Sequence, residues 1–405
     1  AFVDGARLAG ADVVDLGLAS TDLVYFAAGS LDCPAAMFTA SHNPAQYNGI
    51  KLCRAGAVPV GADSGLAEVR RLAEDGVPAH DGPAGTVRTQ DVLAGYAAYL
   101  RELVDLRGHR RLTVVVDAAN GMGGHTVPTV LDGLPVDLVP MYFELDGTFP
   151  NHEANPLDPA NLVDLQERVR AEGADIGLAF DGDADRCFVV DERGEPVSPS
   201  AVTALVAVRE LARVPGAPVI HNLITSRAVP EVIREHGGVP VRTRVGHSYI
   251  KAEMARTGAV FGGEHSAHYY FRDFWRADTG MLAALHVLGA LGEQDRPLSE
   301  LVRSYQRYAA SGEVNSALPD RGAMAAATER VLARYAGLPG VTVDDLDGTT
   351  VDAADWWFNL RPSNTEPLLR LNVEAADEAA MAAVRDDVLA VVRGGTPAGP
   401  PPATT

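Results

Sequence analysis

Basic residues are scarce in this chain of 405 residues: 34 Lys and Arg stand against 54 Asp and Glu, a formal net charge of −20. With a pI near 4.9, the composition excludes nucleic acid and anionic membrane surfaces as partners, because phosphate contacts need a basic face. Cysteine is nearly absent. Cys33, Cys53 and Cys187 are odd in number and lack metal-ligand spacing, which excludes a disulfide framework and points to a reducing, cytoplasmic compartment. No run of about 18 apolar residues occurs, so no membrane span is expected. The opening, Ala1-Phe2-Val3-Asp4-Gly5, has no Met and no charged-then-apolar leader. It reads as the last turns of a helix ending at Gly10, followed by a strand over 12–16, as though sequence preceding it were missing.

What is present is ordinary for folded protein: 47% hydrophobic and 22% charged residues. The length allows two to four domains, each with a core of its own. Short apolar runs at 112–116, 175–180 and 218–221 alternate with helical patterns at 162–172, 226–236 and 279–291. That alternation predicts βαβ units and a largely parallel sheet. Beyond residue 340 the pattern changes to four successive strands (341–343, 349–351, 356–360, 368–373) and one helix over 377–392, an α+β grouping. Boundaries are expected near residues 95, 197 and 310, with a Pro/Gly/Thr-rich, disordered tail over 394–405.

Four loops carry chemistry. In Thr39-Ala40-Ser41-His42-Asn43-Pro44, a strand leads into a turn that exposes Ser41, and a return strand at 50–53 brings back Lys51. A hydroxyl beside a cation can accept a phosphoryl group; alternatively Ser41 caps a turn and Lys51 is solvated. In Asp181-Gly182-Asp183-Ala184-Asp185-Arg186, alternate residues of an extended segment would share a side, converging three carboxylates. Such a set needs a cation, and hard oxygens select Mg²⁺ or Ca²⁺. An EF-hand reading fails because Arg186 occupies the position that requires Gly and a strand precedes the loop. In Gly263-Glu264-His265-Ser266-Ala267-His268, alternating Glu264, Ser266 and His268 can bond sugar hydroxyls or simply form a satisfied turn. Arg361-Pro362-Ser363-Asn364-Thr365-Glu366-Pro367 offers a guanidinium, hydroxyls and an amide suited to phosphate, or a turn alone. Arg244 and His247 can add cationic contacts or start a helix; the glycine-rich 117–124 stretch does not fit a dinucleotide motif and reads as a turn.

In this order and spacing the four motifs resemble the α-D-phosphohexomutases, nearest the phosphomannomutase and phosphoglucomutase branch, and the resemblance spans the whole chain. It implies three mixed α/β domains plus a C-terminal α+β domain around a central cleft. The phosphoserine loop would lie in 1–95, the metal loop in 96–197, the sugar loop in 198–310 and the phosphate loop in 311–393. Ser41 is similar to the family's phosphoserine and a metal-site neighbour, Asp181, Asp183 and Asp185 to its Mg²⁺ ligands, and Lys51 and Arg186 to groups flanking the transferred phosphoryl. Glu264, Ser266 and His268 resemble sugar-binding residues, with Arg244 and His247 near the substrate; Arg361, Ser363, Asn364 and Thr365 resemble the distal phosphate clamp. The implied activity interconverts hexose 6-phosphate and hexose 1-phosphate, mannose preferred over glucose, through a phosphoserine and a hexose 1,6-bisphosphate that is also the activator. The implied partner is a small-molecule sugar phosphate, and the implied state a monomer or small homo-oligomer.

The departures are specific. Family members usually begin with a strand bearing Tyr-Asp-x-Arg and a later Asp-x-Arg-x-Ser-Ser segment, and neither precedes Ala1. The first domain is therefore expected to lack a strand, most of a helix and one arginine of the site, as a fragment would. Ala267 replaces a commoner Gly, Pro362 a small residue and Arg244 a Lys. Two other classes fit the sequence: a haloacid-dehalogenase-like phosphatase with Asp181 as nucleophile and Asp183 as acid, and an inactive sugar-phosphate-binding or calcium-binding module.

Overall fold

The computed structural model describes residues 1–363 and 367–396. The consecutive apolar runs become strands covered on both faces. Leu112–Asp117 lies between Val136–Met141 and Ile176–Phe180, parallel to both. Ile176–Phe180 is buried at every position, which is why its sequence shows no polar alternation. Cys187–Asp191 and Pro196–Val197 extend this sheet antiparallel to five strands. A four-stranded sheet follows in the order Val239–Thr243, Pro218–Asn222, Phe261–Gly263, Tyr269–Phe271, with only the last strand antiparallel. Helix Gly280–Gly292, buried on nearly every side, packs on helix Pro199–Arg213 and strand Cys187–Asp191 and so ties both sheets into one core.

The C-terminal unit has five antiparallel strands in the order Ala309–Ala317, Leu368–Ala375, Trp356–Pro362, Thr349–Asp352, Thr342–Asp344. Helices Arg321–Tyr335 and Glu378–Arg393 pack on each other and on this sheet, over a separate core in which Tyr335 meets Phe358 edge to face. The first residues form two small sheets: Val13–Asp15 with Val87–Thr89, parallel, and the antiparallel set Ala35–Phe38, Ile50–Arg54 and Val58–Pro59. Residues of both sheets line an apolar cavity of about 1050 Å³.

Three α/β units and an α+β unit are thus present, as the patterning implied. The expected limits at 95 and 310 fall inside elements, helix Leu93–Leu103 and strand Ala309–Ala317; neither change of unit is marked by a shift in composition. The limit at 197 falls between strand Pro196–Val197 and helix Pro199–Arg213. Strand Ala309–Ala317 escaped the sequence reading because its apolar alternation is broken by Gly312 and Glu313, where the ladder slips register. The 117–124 stretch turns as expected, but Gly123 and Gly124 already begin helix Gly123–Leu131. The three cysteines are free. Among the described residues, no helix is long and apolar enough to cross a membrane. The tail from residue 397 on lies outside the described residues.

Candidate active site

Strand Ile176–Phe180 delivers Asp181 to the carboxyl end of the parallel sheet, where open α/β folds gather ligands. The aspartates converge, though not by extended alternation. Ala184 takes a left-handed conformation (φ 57°) and donates its N–H to the Asp181 carbonyl, so a tight turn does the work. All three carboxylates are buried, with one oxygen from each within 4.8 Å of the others. Lys51 Nζ lodges 2.7 Å from Asp183 Oδ2 and 2.6 Å from Asp185 Oδ2. Arg186 Nε donates to Asp181 Oδ2 at 2.8 Å, and its backbone N–H to Oδ1 at 3.1 Å. Both Asp181 oxygens are therefore engaged, which disfavours that carboxylate as the nucleophile of a phosphatase.

Burial pushes Asp181 up to about 7 against the pull of Arg186. At Asp185 burial is outweighed by Lys51 and His268, which hold it down at about 2. The same contest at Lys51 ends with Asp185 and Asp183 holding the ammonium well above its ordinary value. Asp183 Oδ1 and Asp185 Oδ1 remain buried without a hydrogen-bond partner. Buried, unpartnered carboxylate oxygens in an all-oxygen set suit a hard divalent cation.

Ser41 is carried to this point by the hairpin of Ala35–Phe38 and Ile50–Arg54, in which Lys51 lies opposite Met37. Its backbone is left-handed (φ 56°), a conformation that costs a non-glycine residue energy and is concentrated at functional turns. The turn is braced: Ser41 N–H donates to Thr39 Oγ1 at 2.7 Å, and the Thr39 hydroxyl donates to Asp183 Oδ2 at 3.1 Å. Ser41 Oγ then lies 3.2 Å from Asp181 Oδ2 and 3.2 Å from His42 Nδ1. Backbone meets backbone behind it. A Cβ on Gly182 would stand 2.4 Å from the Ser41 carbonyl oxygen, and one on Gly121 2.6 Å from the Gly182 carbonyl oxygen. Gly121 of the 117–124 stretch and Gly182 of the aspartate loop thus let three loops close on one another. Helix Thr21–Ser30, capped by Ser20 Oγ, points its N-terminus here, with Thr21 donating its N–H to the Asp183 carbonyl and its hydroxyl to Asp183 Oδ2.

The third motif follows strand Phe261–Gly263. His268 forms a backbone bridge with Arg186, and its Nδ1 lies 3.8 Å from Asp185 Oδ1. Ser266 is half-buried on the same turn, whose next residue, Ala267, is left-handed (φ 64°), the conformation a glycine would adopt more readily. Glu264 is buried and accepts from the Tyr270 hydroxyl (2.7 Å), Asn222 Nδ2 (3.1 Å) and the Gly246 N–H (3.1 Å). The last bond fixes the segment that starts helix His247–Thr257, so His247 sits with its ring centroid 4.2 Å from that of His268.

The structure thus brings Ser41, Lys51, Asp181, Asp183, Asp185, Arg186, Glu264, His268 and His247 into one cluster. Arg244 is exposed, its guanidinium over the Tyr249 ring at 5.7 Å, apart from the carboxylates. Arg361 and Ser363 sit on the hairpin of the last unit; Ser363 Oγ accepts from Arg370 at 3.3 Å, and Arg361 acts electrostatically on His265. Asn364 and Thr365 lie outside the described residues. Sequence reasoning missed Thr21, Tyr25, Lys251, Tyr270 and Asp278. Asp278 is fully buried beneath His247 and His268, and Lys251 Nζ reaches it at 3.0 Å while lying 4.2 Å from the Tyr25 ring centroid. An acid just before the Thr279 cap of an apolar helix was the available signal.

Four family models match the chain in sequence: phosphoglucomutase/phosphomannomutase alpha/beta/alpha domain I over residues 1–76, domain II over 94–194, domain III over 198–308 and the C-terminal domain over 313–391. A phosphomannomutase of Escherichia coli is 39% identical over 404 residues, 97% of this chain and 88% of that protein. The phosphohexose mutases of Xanthomonas campestris are 39% identical over 383 residues, 94% of this chain and 85% of theirs. A crystal structure of a phosphoglucomutase/phosphomannomutase family protein from Burkholderia thailandensis superposes with a TM-score of 0.85 at 31% identity, covering 97% of this chain and 86% of that one. The chain belongs to the phosphoglucomutase/phosphomannomutase family and is a mutase.

Proposed function

We propose that the protein interconverts hexose 6-phosphate and hexose 1-phosphate, mannose preferred, by passing a phosphoryl group between Ser41 and the sugar. The observation that carries this reading is Ser41 Oγ at 3.2 Å from Asp181, on a strained turn flanked by Lys51 and Arg186. The mannose preference rests on the relatives named phosphomannomutase. Phosphorylated Ser41 gives its phosphoryl group to the free hydroxyl of a bound hexose monophosphate; the P–O bond to Ser41 breaks as the P–O bond to the sugar forms. His268, whose pKa is lowered by burial and by the neighbouring His247, accepts the proton that the sugar hydroxyl loses. Lys51, held as an ammonium, gives a proton to the departing Ser41 oxygen. The resulting hexose 1,6-bisphosphate turns in the cleft and returns its other phosphoryl group by the reverse steps; the same compound primes an unphosphorylated Ser41.

Charge is the physical obstacle, since phosphoserine brings about −1.5 to −2 and the substrate as much again. Lys51, Arg186 and the N-terminus of helix Thr21–Ser30 supply fixed positive potential where it gathers. Asp181, Asp183 and Asp185, with Ser41, would hold Mg²⁺, which when bound neutralises phosphoryl oxygens as a Lewis acid. Glu264, Ser266, His268 and His247 would meet the sugar hydroxyls, with Arg244 at the entrance; Arg361, Ser363, Asn364 and Thr365 would clamp the distal phosphate. The enzyme would act in the cytoplasm as a monomer or small homo-oligomer. Ser41→Ala is expected to abolish both phosphate incorporation from hexose 1,6-bisphosphate and turnover. A variant that still turned over at the parent rate would overturn the proposal.

A further inference from the structure

The loop after strand Pro218–Asn222 serves two parts of the molecule at once. At its start, Asn222 Nδ2 donates to Glu264 Oε1 at 3.1 Å, and the Thr225 hydroxyl fixes that amide by donating to Asn222 Oδ1 at 2.7 Å. At its end, Arg227 grips the C-terminal unit. Its backbone N–H donates to Glu374 Oε1 at 2.9 Å. Its guanidinium donates to the carbonyls of Ala354 (2.9 Å), Ala353 (2.5 Å) and Trp356 (3.2 Å) and to the Asp352 carboxylate. Between these ends, Leu223 and Ile224 pack on Trp357, whose indole donates to the same Glu374 oxygen at 2.9 Å. A second segment repeats the division: the Val245 N–H donates to Asp347 Oδ2 at 3.2 Å, and the next N–H, of Gly246, to Glu264 Oε1 at 3.1 Å.

Arg227 meets the turn from which strand Trp356–Pro362 starts, and Arg361 lies on that strand. A planar fork on three carbonyls and a carboxylate fixes orientation as well as distance, which the point charge of a lysine does not. We infer that Arg227 is a positioning residue: it seats the C-terminal unit so that the loop of Arg361 and Ser363 stands at a fixed distance from Glu264. The seating follows from these contacts alone. Its effect on turnover rests on the mutase reading, in which Glu264 meets the sugar while Arg361 and Ser363 hold the phosphate that is not transferred. Without the guanidinium, binding that needs both loops weakens, and chemistry at Ser41 continues.

The test uses the full chain with Mg²⁺. Arg227→Met keeps the aliphatic stem and removes the fork. Small-angle X-ray scattering without sugar should give it a larger radius of gyration than the parent. Its kcat/KM for mannose 1-phosphate should fall about 10²-fold, the scale of a misplaced binding group, mainly through KM. Transfer of label from phosphorylated Ser41 to mannose, which has no phosphate to clamp, should keep the parental rate. Arg227→Lys should fall between Met and parent in KM; circular dichroism checks that both fold. Parental scattering together with parental KM in Arg227→Met, or equal losses toward mannose and mannose 1-phosphate, would overturn the inference. A parent without turnover would refute the mutase reading alone, and scattering would then decide the seating.

Discussion

Lys51 and Lys251 each carry an ammonium into a buried acidic environment, Lys51 between Asp183 and Asp185, Lys251 against Asp278 and over the Tyr25 ring. They differ in what surrounds them. Lys51 stands between two carboxylates of a converged set of three, and its side chain is 30% exposed. Lys251 is 4% exposed and enclosed by an aromatic face and a single carboxylate. The first arrangement has charge left over for a cation and a phosphoryl group. The second fixes an aspartate in place beneath two histidines. A buried ion pair is thus a working part or a brace according to how many carboxylates converge on it and whether solvent reaches it.

The contrast breaks most severely at Asp183. Asp183→Ala should cut kcat about 10³-fold, the scale of losing one preorganised electrostatic group, with the fold retained in circular dichroism. Replacing the lysines sharpens it. Lys51→Met should cost about 3 kcal/mol of unfolding free energy in chelator, reduced for its partial exposure, and most of that should return with Mg²⁺. Lys251→Met should cost about 4 kcal/mol, with no recovery in Mg²⁺. Urea titrations with and without the ion read both values.

A third carboxylate marks the boundary between working part and brace. Asp22 is buried and accepts hydrogen bonds from the hydroxyls of Ser20, Tyr96 and Thr279, three separate segments. Burial pushes it up to about 6 despite those donors. The folded state then holds its proton more tightly than the unfolded state, so the stability it confers is complete below about pH 4 and lost as pH rises through 6. The loss is about 3 kcal/mol. Asp22→Asn should remove that slope when unfolding is followed across this window. The smallest effect belongs to Arg244, where exposure limits Arg244→Ala to within about 0.5 kcal/mol of parental stability.

The same contrast explains what the sequence could disclose. Asp181, Asp183, Asp185 and Arg186 are packed into six residues after an apolar strand, so local spacing announced them, even though a left-handed turn at Ala184 rather than strand alternation converges them. Ser41 and Lys51 were legible because one hairpin joins them. His247 and Lys251 are one turn apart on helix His247–Thr257, but His268 and Asp278 come from two other points on the chain, and only the crossing of that helix with the segments flanking strand Tyr269–Phe271 makes them neighbours. Thr21 was hidden for the same reason, since nothing local ties residue 21 to residue 183. The parallel α/β units followed from runs of consecutive apolar residues, while strand Ala309–Ala317 was lost to its own bulge.

Under the proposed function, one phosphoryl group belongs by turns to Ser41 and to the sugar. Protein labelled with radioactive phosphate, the label mapped to the Ser41 peptide, should be mixed with unlabelled mannose 1-phosphate for a single turnover. The label is expected to leave the protein and appear on the sugar at the rate of product formation. Product accumulating while the label stays on Ser41 would contradict it.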